Sequence, residues 1–230
     1  MRILILGHGR MGRLVESLAP EYGATIAGVV DEHAGPRAIA AGDFGGVDVA
    51  IDFTLAAAVP QNLPQLAERG INVVIGTTGW QASEAAMRDV AAKAGIGVLA
   101  ASNFSLGMNV FQIVAEEAAR RLAGLDEFGA WIHDAHHVMK KDAPSGTAIT
   151  LQQGMVAAGF ARPIDVSSTR AGSMPGTHTI GFDSPSETIA LTHTVRDRAV
   201  FARGALVAAK WLVGKHGWFS MRQMVEGMRA

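Results

Sequence analysis

The chain has 230 residues, enough for one large domain or two small ones with a buried core. Hydrophobic residues make up 49% and charged residues 18%, and the net charge is −1. This is a globular composition with no electrostatic case for nucleic acid or an anionic membrane as partner. The lack of cysteine excludes disulfides, thiolate nucleophiles and cysteine metal sites, and it fits a reducing cytoplasm.

Residues 3–6 form a short apolar run, suited to a strand buried on both faces and too short for a signal-peptide core. No stretch approaches the ~18 uninterrupted apolar residues of a membrane span. The run leads into Gly7-His8-Gly9-Arg10-Met11-Gly12 and then a helical pattern over 13–19. In G-x-G-x-x-G between strand and helix, the first glycine allows the tight turn and the second admits a pyrophosphate. The third packs helix on strand. A second strand over 25–30 ends in Asp31, near the position at which an acidic residue accepts hydrogen bonds from an adenosine ribose. Asp31, with Glu32 beside it, repels a 2′-phosphate, while Arg10 and Arg37 leave phosphate binding open. NADH is therefore the favoured cofactor and NADPH the alternative.

A third strand over 47–53 is followed by Thr54. Asp52 and Thr54 either face a cofactor crevice beyond the strand ends or cap the next helix. A fourth strand, 71–75, ends in Gly76-Thr77-Thr78-Gly79, whose amides and hydroxyls suit a nicotinamide ribose or amide. A helix over 83–94 and a fifth strand over 96–100 lead to Ala101-Ser102-Asn103-Phe104-Ser105. This β/α alternation predicts a parallel doubly wound sheet. Residues 106–122 then read as a helix, followed by extended stretches over 128–138, 164–169, 178–182 and 187–195. They predict a second, smaller α+β domain with a mixed sheet, one face of which is free for assembly. The chain turns helical again from 203 to 213, and residues 217–221 with the terminal helix return to the first domain. The expected domains are 1–104 with 207–230, for the dinucleotide, and 105–206, for substrate and oligomerisation.

The stretch His136-His137-Val138-Met139-Lys140-Lys141-Asp142-Ala143-Pro144-Ser145-Gly146-Thr147 holds two imidazoles, two ammonium groups and a Ser-Gly-Thr turn. Pro144 restricts φ and Gly146 permits positive φ, so a tight turn is expected, with a helix following from 148. The turn's amides then lie at a helix N-terminus, where an anion binds readily.

With these segments in this order, the chain resembles the 4-hydroxy-tetrahydrodipicolinate reductase family of lysine and diaminopimelate synthesis. The matching segments are the glycine motif, Ile51-Asp52-Phe53-Thr54, Gly76-Thr77-Thr78-Gly79, Asn103-Phe104-Ser105 and Ala135-His136-His137 through Thr147. The resemblance implies a Rossmann-type domain, a four-stranded mixed-sheet substrate domain and a homotetramer in the cytoplasm. It implies hydride transfer from NAD(P)H to C4 of a cyclic dicarboxylate, giving tetrahydrodipicolinate after loss of water. Cofactor contacts are then implied from Gly7, Gly9, Arg10, Met11 and Gly12, from Asp31, and from Phe53 and Thr54. The loops at Gly76, Thr77, Thr78, Gly79 and at Ser102, Asn103, Phe104 complete that set. His136 is implied as the proton donor with Lys140 as its partner. His137, Lys140, Ser145, Gly146 and Thr147 are implied as carboxylate ligands. Two departures stand out: the segment between Asp31 and Val47 is short, and Glu32 stands where many members carry arginine.

Other residues read more plainly. The His136-His137 pair lacks a third metal ligand at convincing spacing, so no metal is expected. Lys141 reads as a solvated charge and Lys140 as the buried one. His133, His193 and His216 read as structural or surface residues, and Met221, Met224 and Met228 as core. Arg170 and His178 either approach the substrate or join the second sheet to it. A different amino-acid or imine dehydrogenase would lack the run from Lys140 to Thr147. A non-catalytic NADH sensor would be expected to lack the His136/Lys140 pair.

Overall fold

A computed structural model describes residues 1–31, 33–35 and 37–228, so the reading of Glu32 lies outside the described residues. The chain divides into two units, Met1–Leu106 with Ala199–Ala230, and Gly107–Arg198.

In the first unit, strands β1 (Arg2–Leu6), β2 (Thr25–Val30), β3 (Val49–Asp52), β4 (Asn72–Ile75) and β5 (Gly97–Ala100) alternate with helices. These are α1 (Arg10–Leu18), α2 (Ala38–Ala41), α3 (Val59–Glu68) and α4 (Glu84–Ala94). A three-residue strand, Gly217–Phe219, pairs with β5 as the sixth member. The sheet order is Gly217–Phe219, β5, β4, β3, β1, β2, with every pair parallel. The order reverses between β1 and β3, which opens a crevice beyond their carboxyl ends. β3 and β4 are buried at every residue because helices cover both faces, so their apolar runs need not alternate.

The second unit begins in α5 (Leu106–Leu122) and continues through β6 (Gly129–His136), α6 (Gly146–Ala157), β7 (Ile164–Arg170), β8 (Thr177–Asp183) and β9 (Thr188–Thr194). Its sheet runs β7-β6-β8-β9, parallel for β6/β7 and antiparallel for the other two pairs. One face packs Ile132, Ile180 and Phe182 under Phe111, Leu151, Met155 and Phe160. The other carries hydroxyl pairs, Thr177–Thr194 at 3.1 Å and Thr179–Thr192 at 3.0 Å.

The chain returns to the first unit at Ala199, earlier than the expected residue 207, because α7 (Ala199–Leu212) is one uninterrupted helix. Its Ala202, Ala205, Leu206, Ala208, Ala209 and Leu212 are all buried in the first core. Gly204 lets it lie against backbone: a Cβ there would stand 1.7 Å from the Phe104 carbonyl oxygen. The Asn72 side chain clamps the return, donating to the Leu212 and Lys215 carbonyls and accepting from the Gly97 N–H. In α8 (Met221–Gly227), Met221 and Met224 are core residues. Met228 is 53% exposed just past the helix end, contrary to its expected core place.

A second expectation also changes. Gly146 is not in the left-handed region; it is the first residue of α6, two positions before the expected start. Ser145 caps the helix by accepting from the Ala148 N–H at 3.2 Å, and this side-chain bond starts the helix early. Among the described residues, no helix is long and apolar enough to cross a membrane.

Candidate active site

In the first unit, a cleft of about 670 Å³ opens where β1, β2 and β3 end, lined by Gly7, Gly9, Asp31, Phe53 and Thr54. The three glycines differ as the motif requires. Gly7 has φ +86°, and a Cβ there would stand 2.4 Å from the Phe53 carbonyl oxygen. A Cβ on Gly12 would stand 2.0 Å from the Gly7 carbonyl oxygen, whereas a Cβ on Gly9 would meet nothing within 4 Å. Two of the glycines close the turn and the middle one leaves its backbone open to a diphosphate, so the residues fit a dinucleotide. Asp31 is exposed at the tip of β2 and accepts from the His33 N–H at 2.9 Å. Arg13 and His33 also line the cleft, and neither was anticipated from the motif. Arg10 is exposed in the first turn of α1, and Met11 packs against the core.

Asp52 is 1% exposed and is neither a ligand nor a helix cap. Its carboxylate accepts from the Thr54 N–H and hydroxyl, the Thr77 hydroxyl and the Asn62 amide, at 2.6–3.0 Å. It locks the loops after β3 and β4 together, and it commits the Thr77 hydroxyl inward. Thr78 remains exposed, and Gly79 has φ +88°. Gly76 is required because the Phe53 ring lies 2.1 Å from where its Cβ would be. Ser102 and Thr77 line a second pocket of about 370 Å³ with Trp80 and Trp218. The Asn103 carboxamide accepts from the Ser105 N–H at 2.9 Å, steering the chain into α5. The Phe104 side chain is 2% exposed in the core and meets Phe53 edge-on, so only its backbone is left for a ligand.

In the second unit, β6, α6 and β7 form a βαβ crossover. The loop 137–145 therefore joins the carboxyl end of a strand to the N-terminus of a helix. His136 ends β6 and lies on the same sheet face as Asp134 two residues earlier. Asp134 is fully buried and binds the His136 Nδ1 at 2.9 Å and the Arg170 guanidinium at 2.9 Å. The Ser168 hydroxyl makes a further close bond to it. Burial pushes the Asp134 carboxyl up, but Ser168, Arg170 and Ser145 outweigh burial and hold it below its ordinary value. Burial pushes His136 down, the Asp134 charge opposes this, and Lys140 and Arg170 add to the lowering. His178 meets His136 edge-on at 5.1 Å and binds the Ser145 hydroxyl oxygen through Nε2 at 3.1 Å. Burial first, and then His136, lower its pKa to about 4, so its ring is neutral at pH 7.

Lys140 is half-buried and Lys141 exposed. Lys140 pairs with Asp142 at 2.7 Å, and that carboxylate also takes the Gly146 N–H at 3.4 Å. His137 and Thr147 are half-buried on the same loop and first helical turn, and Gly146 is exposed with open space beside it. His133 is tied to Ser167 and Thr169 across the sheet, His193 packs on Phe111, and His216 binds the Gly95 carbonyl. Asp134, His136 and His178 bring ligand atoms within 4.8 Å of one another, a grouping hidden in linear spacing. Arg170 and Ser145 already engage it and Lys140 lies near, which suits proton transfer better than a bound cation.

Comparison with known proteins identifies the family. The model of the dihydrodipicolinate reductase N-terminus matches residues 1–104 and that of its C-terminus residues 107–225. A 4-hydroxy-tetrahydrodipicolinate reductase of Christiangramia forsetii is 35% identical over 239 residues, covering 99% of each chain. One of Xanthomonas euvesicatoria is 42% identical over 239 residues, covering 98% of each. A dipicolinate-bound dihydrodipicolinate reductase from Paenisporosarcina sp. TG-14 shares the fold, with a TM-score of 0.81 at 18% identity, covering 96% of this chain and 97% of that one. The chain belongs to the dihydrodipicolinate reductase family, nicotinamide-dependent oxidoreductases of lysine and diaminopimelate biosynthesis.

Proposed function

We propose that this chain reduces 4-hydroxy-tetrahydrodipicolinate with a preference for NADH, that His136 is its proton donor, and that it works as a cytoplasmic homotetramer. The observation that carries the chemistry is His136 at a strand end, held through Nδ1 by a buried carboxylate and one loop away from the exposed N-terminus of α6. NAD(P)H, when bound at the glycine motif, supplies a hydride to C4 of the C=C–C=N system that remains after the substrate loses water. Negative charge then develops on the neighbouring ring carbon, and His136 delivers the proton that quenches it. Lys140 lowers the cost of that charge. His137 and the Thr147 amide and hydroxyl anchor the substrate carboxylates, joined by the Gly146 amide when a substrate carboxylate takes the place of Asp142 there, with Ser145 holding the helix turn that presents them. Dipicolinate in the Paenisporosarcina protein supports a dicarboxylate of this shape.

Asp31 at the end of β2 supports NADH, because its charge repels a 2′-phosphate. The hydroxyl-lined open face of the second sheet supports assembly through that face. The test is oxidation of NADH and of NADPH with substrate made in situ by the preceding synthase from pyruvate and aspartate semialdehyde. Rapid, NADH-favoured oxidation is expected. Cofactor binding with no oxidation would overturn the reading.

A further inference from the structure

We propose that Asp134 is the positioning residue for proton transfer: its carboxylate, bound to Nδ1, leaves only the Nε2 atom of His136 to face substrate. The proposal rests on His136 being the proton donor.

A carboxylate accepts hydrogen bonds and cannot donate them. Bonded to Asp134, His136 therefore carries its first ring hydrogen on Nδ1. Nε2 is left as a lone pair in the neutral ring and as the second N–H in the charged one. Space at that atom is kept by Gly176, which has φ +131° and where a Cβ would stand 3.2 Å from Nε2. Any other residue there would be strained and would crowd the reactive nitrogen.

At the start of α6 the Ser145 hydroxyl accepts from the Ala148 N–H at 3.2 Å and shares a hydrogen bond with the His178 Nε2 at 3.1 Å. Antiparallel register places His178 beside Asp134. The carboxylate thus sets the tautomer of His136, which ends the strand. Arg170 and Ser168 hold Asp134 in turn. Removing either would loosen the hold on Asp134 and so on His136.

The charged or titratable groups facing His136 are Asp134, Lys140, Arg170 and His178. Of these, only Asp134 favours the protonated ring. Asp134→Asn keeps the size and removes the charge. In it, kcat should fall by about 100-fold or more at neutral pH, and the pH at which kcat is lost should move acidward. The KM for NADH should stay constant, and Asp134→Glu should restore part of kcat. A folded Asp134→Asn enzyme with unchanged kcat and pH profile would overturn the proposal. Nitrogen-15 NMR of histidine-labelled wild type tests it without relying on that variant's folding. With the signal assigned by His136→Gln, the neutral His136 ring should carry its hydrogen on Nδ1. An Nε2–H tautomer of neutral His136 in an active enzyme overturns this proposal alone. The expected tautomer in a chain that oxidises no NADH overturns the proposed function, and the catalytic role of Asp134 with it.

Discussion

His178 makes stability depend on pH in a defined way. It is 4% exposed on β8, and burial with the neighbouring His136 lowers its pKa to about 4, against an ordinary value of 6.5. Above pH 6.5 the ring is neutral in both folded and unfolded chains. Between 6.5 and 4 only the unfolded chain takes up the proton, so stability drains away as pH falls through that window. Below 4 both forms are charged and the loss levels off. A shift of that size, at about 1.4 kcal/mol per pH unit, amounts to about 3 kcal/mol. His178→Gln retains an amide that can donate to the Ser145 oxygen but does not titrate. Urea melts at pH 7 and pH 4 should show the wild type losing about 3 kcal/mol more than the variant. Asp134 is present in both proteins, so its own acid loss largely cancels in the comparison. Equal losses, or an NMR titration of the His178 ring near its ordinary value, would refute the reasoning.

The glycine motif predicts a contrast. Gly9→Ala should leave the melting temperature nearly unchanged and weaken NADH binding, while Gly12→Ala should destabilise the fold, because its Cβ would stand 2.0 Å from backbone oxygen. Calorimetry and NADH titration of the two variants check this. Asp31→Ala should narrow the preference for NADH in the ratio of kcat/KM values, and an unchanged ratio would remove Asp31 from the site. His136→Ala should lower kcat by about 100-fold or more while NADH affinity holds, and equal effects on the two would refute its role. Light scattering at micromolar concentration should show a tetramer, and a monomer would overturn the reading of the open sheet face.

Legibility followed locality. The turn from β1 into α1 and the helix Leu106–Leu122 were readable because contiguous residues build them: glycines at fixed spacing, or one apolar stripe along the chain. His136, Lys140 and the Ser145-Gly146-Thr147 stretch were readable for the same reason, since one loop carries them all. Gly146 was misread as a turn residue because the Ser145 cap, a side-chain bond to the Ala148 N–H, draws it into the helix. Pairing decided the rest. Parallel register sets Ser168 beside Asp134 and Arg170 beside His136, and antiparallel register sets His178 beside Asp134 from the other side. No spacing along the chain encodes those neighbours, because the choice and register of adjoining strands depend on the whole sheet and the helices packed on it. Asp52 shows the same division: its place at the end of β3 was visible, but its partners Asn62 and Thr77 come from α3 and the loop after β4. The amino-acid sequence by itself determined the scaffold and put His136, Lys140 and Ser145-Gly146-Thr147 on one stretch of chain; only the tertiary structure decided which buried carboxylate, Asp134, binds the His136 imidazole.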